Sequence, residues 1–123
     1  MARVLAAVDR SPEAARAAIA HCRERGASLE LVGVVRDRRD FRDVQHGLVL
    51  AARAARRVGV EAGIAVRAGE PLSALLREAG ETGAEELFLP LRRGPFRRRR
   101  GVTYLRVRGL AEAPRPGVLR LAA

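Results

Sequence analysis

Four short apolar runs alternate with amphipathic segments along the first 90 residues, and this alternation constrains the fold more than any other feature. The runs are RVLAAV, SLELVGVV, VEAGIAV and EELFLPL, which begin at residues 3, 28, 60 and 85. Each has the length and composition of a buried strand. Between the runs, apolar residues recur three and four apart, as in a helix with one buried face. Strands that alternate with helices predict a parallel sheet with right-handed crossovers.

The sequence after residue 101 allows two interpretations. Residues 102 to 113, VTYLRVRGLAEA, can form a helix, but residues 102 to 108 also alternate as a strand does. Residues 118 to 122 follow a proline-rich turn and are predicted to form a final strand. We therefore predict a single α/β domain over residues 1–123, with a doubly wound five-stranded parallel sheet in the order 3-2-1-4-5. Helices cover both faces of this sheet, and the last helix is shortened or replaced by extended chain.

Positive charge is concentrated at one end of the sequence. All 24 basic residues are arginine, and the formal net charge is +10. Residues 1 to 90 hold 14 arginines and 13 acidic residues, whereas residues 91 to 123 hold ten arginines and one acid, Glu112. The absence of lysine excludes a P-loop lysine and a Schiff-base lysine. The asymmetry indicates an anionic partner.

The residues that usually carry catalysis or metal binding form no recognisable pattern. His21 and His46 lie on different predicted helices without neighbours at metal-ligand spacing, so surface or cap positions are expected and no metal is predicted. Cys22 is the single cysteine, is expected to be a core thiol, and fits a reducing compartment. No serine lies in a Gly-x-Ser-x-Gly motif. We predict a protein that is not an enzyme.

No targeting or membrane segment is expected. Asp9 and Arg10 interrupt the apolar run near the N-terminus, which is unlike a signal peptide. No apolar stretch approaches the roughly 20 residues of a membrane span. The predicted location is the cytoplasm, without a membrane partner.

Several segments in order resemble the universal stress protein family. VLAAVDRSPEAARA resembles that family's first strand, Asp-x-Ser turn and first helix, and LELVGVVRD its second strand. VRAGEPLSALLREAGETGAEELFLP is similar to its third strand, Gly-x-Pro turn, third helix and fourth strand. AEAPRPGVLRL resembles its closing Ala-Pro-x-Pro-Val-Leu segment. The resemblance implies a five-stranded doubly wound fold, a stress-response role and a homodimer.

One branch of this family binds ATP through a Gly-x2-Gly-x9-Gly-Ser/Thr loop after the fourth strand, and the corresponding segment here departs from that motif. The segment is LRRGPFRRRRGVT, residues 91 to 103. Leu91 stands at the first glycine, Gly94 matches the second, and six residues rather than nine precede Gly101. Val102 takes the place of Ser or Thr, and Thr103 follows it. Fewer glycines allow fewer close approaches of backbone N–H groups to phosphate.

The resemblance also implies candidate ligand residues outside this loop. Asp9 would contact the adenine or ribose region, although a turn or cap aspartate before Ser11 explains it equally well. Val34 would line the adenine pocket, or be an ordinary core valine. With Gly94, Gly101, Val102 and Thr103, these are the candidate nucleotide-binding residues. The candidate anion-binding residues are arginines that can bond phosphate bidentately: Arg92, Arg93, Arg97, Arg98, Arg99 and Arg100.

Three functional hypotheses remain. The first is a non-catalytic, universal-stress-protein-like regulatory domain that binds ATP through the degenerate loop. The second is a docking domain that has lost nucleotide binding and uses its arginine-rich loop for a polyanion or an acidic partner. Nucleic acid is weakly indicated, because Phe96 and Tyr104 are the only aromatic residues near those arginines. The third is a weak ATP hydrolase, for which no water-positioning base is evident.

Overall fold

The computed structural model describes residues 2–9, 12–90 and 102–106, with the backbone alone at 90 and 102–106. Strands and helices alternate as predicted through the first four strands. The strands are β1 (Arg3–Val8), β2 (Ser28–Val35), β3 (Ala62–Ala68), β4 (Glu86–Pro90) and β5 (Val102–Arg106). The helices are α1 (Glu13–Arg25), α2 (Phe41–Arg57) and α3 (Pro71–Thr82), and a 3₁₀ turn at Arg38–Asp40 precedes α2.

The predicted order of the parallel strands, 3-2-1-4, is confirmed, but the sheet is not parallel throughout. Strands β3, β2, β1 and β4 pair in parallel, whereas β5 pairs with β4 in the antiparallel direction. The chain between Pro90 and Val102, which face each other in the register, has 11 residues. An antiparallel neighbour can be reached by so short a connection, whereas a parallel one needs a crossover of a dozen or more residues.

β5 also resolves part of the ambiguity in the sequence. Residues 102–106 are strand and not helix, as the alternation of β-branched and apolar residues allowed. The predicted final strand at 118–122, and the rest of the segment that begins at 107, lie outside the described residues.

Helices cover both faces of the sheet, as predicted. On one face, α1 and α2 pack on β1 and β2 around a core that includes Val4, Leu31 and Leu48. On the other, α3 packs on a smaller core that includes Leu5, Val32 and Leu87. Fully buried neighbours on β1 point to opposite cores, as the period of two along a strand requires. None of the described helices is long and apolar enough to cross a membrane.

Local capping residues set the helix ends. Gly26 ends α1 in the left-handed conformation at φ 69°, which favours glycine. Pro12 occupies the N-cap position of α1. The side chain of Glu70 accepts a hydrogen bond from the Ser73 N–H at 2.9 Å and caps α3.

An ionic cluster lies between α3 and the sheet, and neutralising one of its members is expected to stabilise the protein. Arg67 on β3 donates from Nε to Glu78 Oε1 at 2.6 Å, and its Nη2 donates to Glu81. Glu78 is only 7% exposed. Burial, and then the charge and hydrogen bond of Glu78, raise the pKa of Glu30 on β2. Since a raised pKa favours the protonated form in the folded state, ionised Glu30 costs stability at neutral pH.

We expect Glu30→Gln to raise the free energy of unfolding at pH 7 by a few tenths to about 1 kcal/mol, because glutamine keeps the shape without the charge. The gain should shrink as the pH falls through the raised folded-state pKa and vanish below the unfolded value near 4.5. Urea denaturation at pH 7 and pH 3.5 measures both. An equal gain at the two pH values would show that ionisation of Glu30 is not the cause.

Candidate functional site

A cavity of about 730 Å³ opens at the carboxyl-terminal edge of the sheet. Its walls are the ends of β1, β2 and β4 and the first turns of α2 and α3. We call it the edge cavity, and it is lined by Ala7, Val8, Asp9, Val32, Val34, Arg36, Asp40, Asp43, Val44, Pro71, Leu72, Leu75 and Leu89. Open α/β sheets bind ligands at this edge, where the crossover direction reverses. Here the reversal lies between β1 and β4, and both strands contribute to the cavity.

The fold brings the two sequence-predicted residues outside the loop into this cavity together. Asp9 directly follows β1 and is half-buried, and it has an interaction partner of its own. Val34 is half-buried near the end of β2, where it also packs against the core under α3. The two alternatives for Val34 are therefore compatible, because one side chain supports the core and lines the cavity.

The cavity combines an apolar floor with a polar rim. Val34, Leu72 and Leu89, which are not fully buried, supply aliphatic surface on which a flat ring can lie. The carboxylates of Asp9, Asp40 and Asp43 can accept hydrogen bonds from hydroxyl or amino groups, and Arg36 is the cation in the described lining. Within the described residues, no group of three His, Cys, Asp or Glu side chains could hold a metal ion.

Two turns beside the cavity are fixed by charged caps. The backbone and side-chain hydrogen bonds of Arg39 lower the pKa of Asp37, which accepts from the Arg39 N–H at 3.0 Å. The pKa of Glu70 is lowered chiefly by the hydrogen bond from the Ser73 N–H, and more weakly by the charge of Arg36. Both carboxylates stay ionised at neutral pH, and they hold the 3₁₀ turn before α2 and the first turn of α3 beside the cavity.

The remaining predicted site residues are placed only in part. Val102 and Thr103 lie in β5, with Thr103 opposite Leu89, a cavity residue, in the strand register. Both are strand residues. Outside the described residues lie the other candidates: Gly94, Gly101, Arg92, Arg93, Arg97, Arg98, Arg99 and Arg100.

Sequence reasoning missed the contribution of the segment between β2 and α2. Residues 36 to 43, RDRRDFRD, have the composition of a charged connection between a strand and a helix, yet Arg36, Asp40 and Asp43 line the cavity. The signal that could have found them is position alone, since they follow a strand at the ligand-binding edge. Asp43 also lies in the first turn of α2, where acidic residues are favoured whether or not a ligand is bound.

His21 and Cys22 occupy the other end of the molecule. The prediction that His21 is a surface or cap residue is wrong, because its Nε2 lies 3.0 Å from Oε1 of Glu86 and its side chain is only 16% exposed. The prediction that Cys22 is a core thiol is confirmed. Burial, aided by the charge of Glu86, raises the pKa of Cys22 to about 11 and keeps the thiol protonated.

Comparison with solved structures decides the fold. A universal stress protein from Archaeoglobus fulgidus superposes with a TM-score of 0.68 at 22% identity, over 80% of this chain and 83% of the other. A universal stress protein family member from Burkholderia pseudomallei gives 0.63 at 25% identity, over 72% and 80%. The chain has the universal stress protein fold. No protein-family model matches the sequence, and no curated protein matches it significantly.

Some structures with the universal stress protein fold contain nucleotides. One from Arabidopsis thaliana was solved with AMP bound and matches with a TM-score of 0.60 at 18% identity, over 72% of this chain and 75% of that one. Others were solved in complex with dAMP, from Archaeoglobus fulgidus, and with cAMP. The superpositions confirm, for the fold, the resemblance inferred from the sequence motifs.

Proposed function

We propose that this chain is a non-catalytic regulatory domain of the universal stress protein type that binds an adenine nucleotide in the edge cavity. The observation that carries the proposal is the cavity, which has an apolar floor and carboxylates at its rim. Nucleotide complexes of proteins with the same fold support it. We further propose that the protein acts in the cytoplasm as a homodimer in a stress response.

In this proposal each candidate residue has a role set by its chemistry. Val34 supports the base from the floor, and Asp9 accepts hydrogen bonds from the ribose or base. Gly94, Gly101, Val102 and Thr103 would present backbone or hydroxyl groups to the phosphates. The neighbouring arginines, Arg92, Arg93 and Arg97 to Arg100, would neutralise phosphate charge, because no described lining residue except Arg36 is cationic.

Thermal unfolding with nucleotide tests this function. At 1 mM ATP or AMP and a Kd of about 10 µM, binding adds about 2.7 kcal/mol to the stability of the folded state. The melting temperature should rise by several degrees. Val34→Phe should remove this rise, because the larger ring occupies the part of the cavity floor on which the base would lie. The matched control Val58→Phe, at an exposed position at the end of α2, should retain it.

Calorimetric titration of ATP into both variants separates lost binding from lost folding. Native protein whose melting temperature is unchanged by ATP and AMP, with and without magnesium, would contradict nucleotide binding. An equal loss in the two variants would show that the edge cavity is not the binding site.

The second candidate function is docking of a polyanion or an acidic partner by the arginine-rich loop after loss of nucleotide binding. The ten arginines against one acid after residue 90 favour it. It predicts that ATP leaves the melting temperature unchanged, and that heparin binding weakens steeply with salt. Arg97→Gln, Arg98→Gln and Arg99→Gln together should then remove most of the heparin affinity.

A further inference from the structure

The outer face of α2 carries exposed arginines near both of its ends. Positions spaced alternately four and three residues apart share one face of a helix. This spacing joins Arg42, His46, Val49, Arg53 and Arg56, with Leu50 and Arg57 at the flank, and all seven are exposed. The single acidic residue of α2, Asp43, lies at the edge cavity instead.

Helix α1 extends this surface, since it packs beside α2 on the same side of the sheet. Of its three exposed arginines, Arg16 and Arg23 lie seven residues apart and so share one face of the helix, and the exposed Glu24 follows Arg23. We define the basic face as Arg16, Arg23, Arg42, Arg53, Arg56 and Arg57, all of them exposed. No ion pair joins any of the six to another described residue. On the opposite side of the sheet, α3 has one arginine and two glutamates.

Stabilisation of the helices does not by itself explain this charge. Arginine in the last turn of a helix interacts favourably with the helix dipole, which accounts for Arg56 and Arg57. The same dipole disfavours a cation near the helix N-terminus, yet Arg42 is the second residue of α2 and Arg16 the fourth of α1. Exposed arginines near both ends of one helix face, with no acidic residue between them, are typical of a surface that meets an anionic partner.

We propose that the basic face binds the sugar–phosphate backbone of a double-stranded nucleic acid. Arg42 and Arg57 are separated by about 22 Å along the axis of α2 at 1.5 Å per residue. A duplex presents one negative charge per about 1.7 Å over that length. The neighbouring helix axes lie about 10 Å apart, so two rows of guanidinium groups run side by side. Guanidinium groups match phosphate oxygens bidentately.

The composition of the face favours a duplex backbone over other partners. Binding of single strands depends on stacking of bases on aromatic side chains, and the one aromatic residue of the two helices, Phe41, lies at the end of α2. A protein interface would require aromatic or other large anchors near its centre, where this face has only Val49 and Leu50. A second copy of the chain would place arginines against arginines.

Salt-dependent binding of a 20-base-pair duplex to the whole chain, followed by fluorescence anisotropy, tests the proposal. The test variant combines Arg53→Gln, Arg56→Gln and Arg57→Gln. The control combines Arg38→Gln, Arg39→Gln and Arg77→Gln, which removes the same charge outside the basic face. A second control replaces the three test arginines by lysine and preserves the charge.

For the test variant we expect affinity at 0.1 M salt to fall at least about 30-fold. The plot of log affinity against log salt should become shallower by about 2.7, since each lost phosphate contact removes about 0.9 from the slope. The glutamine control should lose less than about 5-fold, and the lysine variant should bind nearly as the native protein does. Circular dichroism of each variant verifies that α2 is intact.

Four results would overturn the proposal. Two are absence of duplex binding at 0.05 M salt, and equal losses in the test variant and the glutamine control. Another is an affinity that depends only on Arg97 to Arg99, which would support the arginine-rich loop instead. The fourth is tighter binding of poly-glutamate than of the duplex at this face, which would indicate an acidic protein. Nucleotide binding is independent of this face, so the ATP-induced melting shift should persist in the test variant.

Discussion

Arg67→Met is expected to lower the free energy of unfolding at pH 7, and by clearly more than the loss of an exposed arginine, because it removes the cation of a part-buried ion pair. Arg67 bonds Glu78, whose side chain is 9% exposed, and its own side chain is 22% exposed. Glu81, at 61%, remains hydrated without the arginine. The loss of stability therefore comes chiefly from Glu78. Without Arg67, this carboxylate would lie close to Glu30 with no cation to neutralise it. Urea denaturation measures it.

The pH dependence of the Arg67→Met deficit identifies its cause. The pKa of Glu30 is raised by burial and by Glu78, so the folded state favours its protonated form. The stabilisation that comes from protonated Glu30 is present below the pKa of Glu30 in the unfolded state. It is lost as the pH rises through the pKa of Glu30 in the folded state. Protonation also removes the repulsion between the two carboxyl groups. The deficit should consequently be larger at pH 7 than at pH 4.

Two variants are matched controls for this experiment. Arg77→Met removes an exposed arginine from the same side of the sheet and should cost less than about 0.5 kcal/mol. The double variant Arg67→Met with Glu78→Gln removes both charges and should recover most of the loss, since a buried pair replaced as a whole is often neutral. Equal stability of Arg67→Met and Arg77→Met would mean that the ionic cluster contributes nothing.

Hydrophobic periodicity predicted the bounds of the strands most accurately for those strands that are buried on both faces of the sheet. The predicted bounds of β1 and β2 match the structure, because each apolar run ends at a charged residue or a turn. β3 begins at Ala62 rather than at residue 60. Val60 is only 6% exposed and belongs to the core under α1 and α2. It packs into the core from the turn before β3, and its apolar character made it resemble a strand residue.

Charged segments were harder to interpret, because their structure depends on specific hydrogen bonds and not on hydrophobic periodicity. α2 begins at Phe41, although the apolar residues that recur at helical spacing begin only at Val44. The earlier start follows a 3₁₀ turn in which the Asp37 side chain accepts from the Arg39 N–H. This turn carries Asp40 to the edge cavity. Three of the four charged residues in the described lining, Arg36, Asp40 and Asp43, therefore come from a stretch with the composition of a solvated loop.

Local sequence patterns did not predict which residues far apart in the sequence pair with each other. The direction of β5 depends on which strand it meets and on the length of the chain before it, and neither is encoded in the alternation of residues 102–106. The pair of His21 and Glu86 joins residues 65 positions apart. Asp9 and Val34, by contrast, were found because motifs of a known family placed them at strand ends. The sequence thus predicted the cavity wall from β1 and β2 but not that from α2.

Gly33→Val is expected to lower the free energy of unfolding by about 3 kcal/mol or more, because α2 lies directly on the backbone of β2 at this position. A Cβ atom on Gly33 would lie 2.3 Å from Cγ1 of Val44 and 3.1 Å from Cδ1 of Leu48. The valine side chain is stiff in a helix and Leu48 is fully buried, so the helix itself must move outward. Gly33→Ala should show a smaller loss of about 1 to 3 kcal/mol.

Gly80→Ala is the matched control, since Gly80 lies in α3 and a Cβ atom there has no neighbour within 4 Å. This substitution should stabilise the protein by up to about 1 kcal/mol, because alanine is the better helix former. The two alanine variants thus have opposite expected signs in urea denaturation. Val44 lines the edge cavity, so an outward shift of α2 should also weaken the nucleotide-induced rise in melting temperature in Gly33→Ala and leave it intact in Gly80→Ala. A Gly33→Ala protein as stable as the native one would show that β2 and α2 are not in close contact at this residue.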